Sequence, residues 1–354
     1  MSLPDRMYAV RIWGPKDFRY EQVEVPRAGK EQIVVKVGKC SVCAADPKIY
    51  QGKAYFQTRI PIVAGHEFVG EVVELGEGAR EKFGLEIGDK AIAEQIVPCG
   101  ECYYCKIGLY NLCVPHHIFG ILGPEGGWAG YMKYPAKSIV WKVPREMSWE
   151  VGVGIEPCAC AIHGVERANV SLKDTVVIIG AGAIGLYMIQ AAKLKHPRYL
   201  VSIETDDHRR RVAKQLGVDL ALNPRTDDIK KEIDELTDGV GADVVIEATG
   251  NPAAVDTAVN VLKKRGRFVV FGVFADKACI DWSIISDIKE LEIVGGHLSL
   301  HTYPLAIKYL QDGSIRNEKI NTHDFPLKDF EKAIEYSEKR IENAIKVMMT
   351  PPKD

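Results

Sequence analysis

Hydrophobic and polar positions divide the chain into two patterns. Over residues 7–98, short β-branched runs are broken by glycine and proline. Residues 33–37, 70–75 and 90–93 read as strands, with turns at 76–78 and 87–89. Over 158–296, apolar runs of strand length alternate with longer helical stretches. Strands are predicted at 176–179, 199–204, 220–222, 242–247, 267–272 and 292–294, and helices at 186–195, 209–216, 227–236 and 253–262. Such strands with crossover helices predict a parallel, doubly wound sheet, so the chain is α/β with a β-rich first part. A strand-like 138–141 closes that first part. Beyond 296 come helical stretches at 304–311 and 330–339 and a last strand-like run at 344–349.

Within the second pattern, Gly180-Ala181-Gly182-Ala183-Ile184-Gly185 follows a β-branched strand and opens a helix. The first glycine permits the tight turn, the second lets backbone amides approach a pyrophosphate, and the third lets helix and strand pack closely. The helix N-terminus then offers free N–H groups to phosphate. Glu204 ends the next strand, where a carboxylate accepts from an adenosine ribose. Glycines alone are a weak signal; strand, helix and acid in order predict a dinucleotide site. Ligands of such sheets bind at the carboxyl ends of strands, here near Gly180, Glu204, Thr249-Gly250 and Val273. Glu204 would repel a 2′-phosphate and satisfy a free 2′-hydroxyl, which points to NAD rather than NADP. Arg210 and Arg211 read as a solvated helix face.

At 354 residues the expectation is two domains. A net charge of −2 gives no case for nucleic acid or an anionic membrane surface. Residues 1–14 lack the apolar run of a signal peptide, and no segment approaches the roughly 20 apolar residues that span a bilayer. A cytoplasmic protein is expected. Nine cysteines in that compartment suggest metal or catalytic use rather than disulfides.

Cys99, Cys102, Cys105 and Cys113 form C-x₂-C-x₂-C-x₇-C. Four thiolates so spaced can close a tetrahedral zinc site on one loop, with no position left for chemistry. The rival is an iron–sulfur cluster, whose bacterial run continues x₃-C-P; the seven-residue gap and Val114 favour a structural zinc. Two smaller constellations are Cys43-Ala44-Ala45-Asp46-Pro47-Lys48 and Gly65-His66-Glu67. Thiolate, imidazole and carboxylate are all zinc ligands, although single cysteines and histidines are more often structural. Cys40 reads as packing. Glu156 is an acid in an apolar run, costly unless paired or near a metal, or else a helix-start acid favoured by the dipole.

Together these pieces resemble the zinc-dependent medium-chain dehydrogenase/reductase family of the alcohol dehydrogenase superfamily, in its polyol, sorbitol-dehydrogenase-like branch. The resemblance covers nearly the whole chain. It rests on Cys43 to Asp46, Gly65-His66-Glu67, the four-cysteine loop, Ile155-Glu156-Pro157 and the glycine turn. Thr302-Tyr303-Pro304 and Thr322-His323-Asp324-Phe325-Pro326-Leu327 add to it. It implies a GroES-like catalytic domain of residues 1–157 and 297–354, made discontinuous by the returning last strand, and a Rossmann domain of residues 158–296. It implies two zinc ions per chain. Cys43 and His66 would bind the catalytic one, with Glu67 a direct or swinging ligand and Glu156 binding directly or through water. Asp46 would orient the site. Gly180, Gly182, Ala183, Ile184, Gly185, Glu204, Arg209, Thr249, Val273 and Leu298 would line NAD. Cys160 falls near the nicotinamide or in the core.

Two departures stand out. Ala45 replaces a Ser or Thr that relays the alcohol proton in many members, and Lys48 replaces a relay histidine, leaving Glu156, Glu67, Lys48 or water for the proton. Leu298 and Ser299 occupy positions where polyol-type members often carry an arginine and an aromatic, so substrate choice should differ from sorbitol. The implied reaction is oxidation of a secondary hydroxyl of a polyol to a ketone, with hydride passing to the nicotinamide. Residues 39–52, 84–100 and 156–167 look most like erythritol- or threitol-type dehydrogenases. An inositol, inosose or sugar-acid dehydrogenase is the alternative on the same scaffold, and a catalytically silent NAD-binding protein the alternative from another class. A homodimer or homotetramer is usual in the family.

Overall fold

The strand Ile33–Ser41 is the axis of the first unit, with seven of its nine residues buried. It pairs antiparallel with Phe68–Leu75, Tyr131–Tyr134 and Lys346–Thr350. The computed structural model describes residues 3–53 and 58–352. In the sheet built on this axis the order is Val140–Val143, Lys90–Ala93, Phe68–Leu75, Ile33–Ser41, Lys346–Thr350, Asn321–Pro326. The returning strand sets Met348 opposite Ser41 and Met349 opposite Cys40, and runs parallel to Asn321–Pro326. Cys40 is fully buried there, its thiol donating to the Met349 carbonyl at 3.5 Å.

Two features of this unit differ from the sequence reading. Arg6–Gly14 and Asp17–Glu24 form an antiparallel hairpin in which Ala9, Val10, Ile12, Phe18 and Val23 are buried. Interspersed arginines and acids hide that alternation in the sequence. The strand expected at 138–141 lies at Val140–Val143, because the Ser138 amide is taken by the Pro135 carbonyl in a turn.

By contact the chain divides into Met1–Glu156 with Tyr303–Asp354, and Pro157–Thr302. The second unit holds six parallel strands in the order Leu220–Leu222, Tyr199–Ile203, Thr175–Ile179, Ala242–Glu247, Leu262–Val270, Glu292–Gly295. Thr175–Ile179 is buried throughout, as a central parallel strand must be. The strand order reverses beside it, which makes its C-terminal turn a switch point. Side-chain caps start the crossover helices: Asp206 accepts from Arg209 N, Asp228 from Lys231 N and Asn251 from Ala253 N. The strand expected to start at 267 begins at Leu262, its first turns disguised by Lys263, Lys264 and Arg265. Among the described residues no helix is long and apolar enough to cross a membrane.

Candidate functional site

The Sγ atoms of Cys99, Cys102, Cys105 and Cys113 all lie within 4.8 Å of one another. A short helix, Tyr103–Lys106, and the turn Tyr110–Leu112 bend the loop around them. Backbone amides point at the sulfurs: Cys102 N and Glu101 N at Cys99 Sγ (3.3 and 3.5 Å), and Cys99 N at Cys113 Sγ (3.2 Å). The Glu101 and Cys102 amides hold the Cys99 thiol below its usual pKa. The amides of Val114 and Cys105 bring Cys102 down to about 6, while burial pushes Cys105 up to about 12. Four thiols this close cannot all ionise without a cation among them. The donor set and its aimed amides fit a closed tetrahedral zinc.

A second group sits where Ile33–Ser41 runs out. Cys43 lies on the following loop, fixed by the Asp46 carboxylate, which accepts from the Cys43 amide at 2.8 Å. Gly65 adopts a φ of +94°, and the Trp128 indole fills the space a Cβ would need there, which sets the chain direction into His66. One ligand atom each from Cys43, His66 and Glu67 lie within 4.8 Å of one another. His66 Nδ1 is buried without a hydrogen-bond partner. Burial opposes the imidazolium, but Cys43, Asp46 and Glu156 together hold the His66 pKa well above its ordinary value. Burial likewise raises Asp46 to about 6. An orphaned imidazole nitrogen among a thiol and three buried carboxyls is a donor set short of a cation, and it fits zinc.

The two candidate glutamates differ. Glu67 is inside the close group, yet both its oxygens receive the Lys346 ammonium at 2.7 Å, and Ser41 Oγ donates to it as well. Glu156, buried at the start of Ile155–Ala168, lies outside the 4.8 Å group but within electrostatic reach of His66 and Lys346. Lys48 is half-buried on Asp46–Tyr50. Lys346 and Ser41 were not singled out from the sequence. The available signal was a lysine in the middle of an otherwise apolar run, 344–349.

In the second unit the glycine turn has the expected close approaches. Gly180 has a φ of +102°, Gly182 is the N-cap of Ala183–Lys193, and a Cβ at Gly185 would overlap the Gly180 carbonyl. Ile184 lies in the first turn of that helix. Glu204 is buried; Oε2 accepts from Ala181 N at 2.8 Å, and Oε1 accepts from Asp206 N and Thr205 Oγ1 at 3.0 and 3.1 Å. The Arg209 guanidinium lies beside Gly182, 3.7 Å from where its Cβ would stand. Arg210 corrects the solvated-face reading: it is 16% exposed and Nη1 donates to the Glu204 carbonyl at 2.7 Å. An arginine one position along a helix from an exposed one cannot be told apart by periodicity alone. Thr249 and Val273 are exposed at the ends of neighbouring strands, and Leu298 is half-buried with a φ of +52°. A buried acid at the second strand end and a turn with no room for side chains fit a dinucleotide.

Known protein families match parts of both units. The alcohol dehydrogenase GroES-like domain family matches residues 29–145, and the zinc-binding dehydrogenase family matches residues 183–312. The chain therefore belongs to the zinc-dependent medium-chain dehydrogenase/reductase family, an oxidoreductase acting on CH–OH groups with a nicotinamide cofactor. It is 41% identical over 343 residues to an erythritol/L-threitol dehydrogenase of Mycolicibacterium smegmatis, covering 94% of this chain and 95% of the relative. It is 35% identical to an L-threonine 3-dehydrogenase of Pyrococcus horikoshii, over 88% of each chain. Among solved structures, an E. coli CFT073 alcohol dehydrogenase complexed with NADH superposes with a TM-score of 0.90 at 29% identity, over 98% of this chain and 100% of that one. A Sinorhizobium meliloti 1021 zinc-binding dehydrogenase bound to NADP gives 0.91 at 28%, with the same coverage. Polyol dehydrogenases recur among the relatives.

Proposed function

We propose that this protein oxidises a secondary hydroxyl of a four-carbon sugar alcohol to a ketone, with NAD as hydride acceptor. The observation that carries the reading is the 41% identity to an erythritol/L-threitol dehydrogenase along 94% of the chain. The charge at Glu204 supports NAD: a buried carboxylate there opposes a 2′-phosphate.

In this reading Cys43 and His66 hold a catalytic zinc, and Cys99, Cys102, Cys105 and Cys113 hold a structural one. When bound, zinc supplies a Lewis acid for the alcohol oxygen and the nicotinamide accepts the hydride. Asp46 keeps the Cys43 loop in place through its amide. Lys346 neutralises Glu67, so that carboxylate adds little negative charge to the metal group. Glu156, buried within electrostatic reach of His66, would then take the third metal position and, with Ala45 lacking a hydroxyl, the alcohol proton. The glycine turn and the helix start at Ala183 receive the pyrophosphate. We assign the protein to the cytoplasm, where its nine cysteines stay reduced. We also assign it to a homodimer or homotetramer, to which exposed Ile293 on the edge strand Glu292–Gly295 offers an apolar surface.

The test is NADH formation on a panel of polyols from three to six carbons, with inositol, a sugar acid and L-threonine alongside and NADP⁺ in parallel. Turnover concentrated on four-carbon substrates with NAD⁺ is expected. Turnover confined to cyclic, acidic or amino substrates, or to NADP⁺, overturns the substrate or the cofactor assignment respectively. Light scattering on the same preparation gives the oligomer number.

A further inference from the structure

Glu247 ends the strand Ala242–Glu247 and has no solvent exposure, yet neither the metal group nor the cofactor reading above makes use of it. A fully buried carboxylate is costly unless donors surround it. Here the donors are all on one side. Oε1 accepts from Thr249 N and Thr249 Oγ1, each at 2.5 Å, and from Gly250 N at 2.8 Å. Oε2 has no hydrogen-bond partner and lies against Gly272, where a Cβ would overlap it. The Glu247 carbonyl accepts from the amides of Phe271 and Gly272, both at 3.0 Å. One residue thus ties together the turns that follow two neighbouring strands.

Those turns abut the glycine loop. A Cβ at Gly180 would stand 2.6 Å from Thr249 Cγ2, so the Thr249 methyl packs directly on the first glycine of the turn. Gly250, at a φ of +67°, leaves no room for a Cβ beside the Val273 carbonyl. On the opposite side of Thr175–Ile179, Glu204 Oε2 holds the Ala181 amide. The glycine turn is therefore gripped from both flanks by a buried carboxylate at the end of an adjacent strand.

We propose that Glu247 is a positioning residue for the dinucleotide: it holds the Thr249–Gly250 turn against Gly180 so that the glycine loop keeps the shape a pyrophosphate requires. This rests on the reading of the Gly180–Gly185 turn as the cofactor site. Glu247 acts through the turn and touches no reacting atom. Preorganisation of this kind appears in cofactor affinity, not in the chemical step.

The experiment measures NADH binding by calorimetry, with steady-state kinetics, on the full-length protein and three variants. Glu247→Ala removes the acceptor, and Glu247→Asp keeps the charge but falls a methylene short of Thr249 and Gly250. Glu247→Gln keeps an oxygen that can accept the same three bonds. Glu247→Ala is expected to weaken NADH about tenfold, the scale of one to two ordinary hydrogen bonds. KM for the nicotinamide should rise in step, with kcat, zinc content and circular dichroism near wild type. Glu247→Asp should weaken binding several-fold, and Glu247→Gln should restore it. Where Glu247→Ala does not fold, the Asp and Gln pair decides. Wild-type affinity in Glu247→Ala or Glu247→Asp, or a loss in Glu247→Gln as large as in Glu247→Asp, overturns the proposal. A wild-type protein that binds neither NADH nor NADPH would instead remove the cofactor-site reading beneath it.

Discussion

Lys346 Nζ lies 2.7 Å from each carboxylate oxygen of Glu67, and both side chains are almost wholly buried. The pair ties the strand Lys346–Thr350 to the residue just before Phe68–Leu75, 279 positions away in sequence. Removing one partner leaves a buried charge without compensation, at a cost of about 3–5 kcal/mol. Lys346→Met should lower stability by that order in urea unfolding. Lys346→Met combined with Glu67→Met should recover most of the loss. Equal loss in the single and double variants would show that packing, not charge, holds this region.

The four-cysteine loop makes a separate prediction. Each of Cys99, Cys102, Cys105 and Cys113 contributes one of four sulfurs within 4.8 Å. Cys105→Ser should reduce bound zinc from about two equivalents to about one, counted by mass spectrometry of the digested protein. The melting temperature should fall while the remaining zinc stays bound. Retention of both equivalents would refute the assignment of this loop to zinc.

Glu156 and Glu67 can be separated by the same metal count. Glu156→Ala should lower zinc retention at the Cys43–His66 site under mild chelation and cut kcat by about a hundredfold or more, the ordinary scale for a lost acid–base group. Unchanged activity and zinc content would return the third position to Glu67.

Glu94 links stability to pH. It is fully buried, and burial raises its carboxyl from 4.5 to about 7, although Trp141 Nε1 and Tyr110 Oη donate to it. Between those values the folded protein holds a proton that the unfolded chain has released. Stability therefore falls as pH rises from 4.5 to about 7 and levels off above. Glu94→Gln cannot ionise, so urea midpoints compared at pH 5 and pH 8 should differ less in the variant than in wild type. An identical difference in both would place Glu94's proton elsewhere.

How far the sequence could be read follows from what each element hides. Thr175–Ile179, the glycine turn and Glu204 form one local unit, and their roles depend on neighbours within about thirty residues, so spacing alone exposes them. The four-cysteine loop is legible for the same reason. Lys346 and Glu247 were not, because their partners are set by strand order: Lys346 meets Glu67 only through a sheet that crosses the whole chain, and Glu247 meets Gly180 only through a packed threonine. The hairpin Arg6–Gly14 with Asp17–Glu24 is hidden in the sequence because charged residues on its outer face break the alternation. The Leu262–Val270 strand starts ahead of the predicted 267 for a related reason, its basic opening residues resembling a loop.

Lys346–Thr350 lies beside Ile33–Ser41, while the whole of the Pro157–Thr302 unit is spelled out between them. During synthesis this gives the two units different fates. The second is continuous and can fold as soon as it leaves the ribosome. The first has an open sheet edge and a buried-site carboxylate lacking its cation until roughly the last tenth of the chain has emerged. A nascent chain whose residues up to 302 have just cleared the exit tunnel would hold a complete second unit and a half-built first one, and chaperone binding should concentrate on the Ile33–Ser41 edge until the strand Lys346–Thr350 arrives.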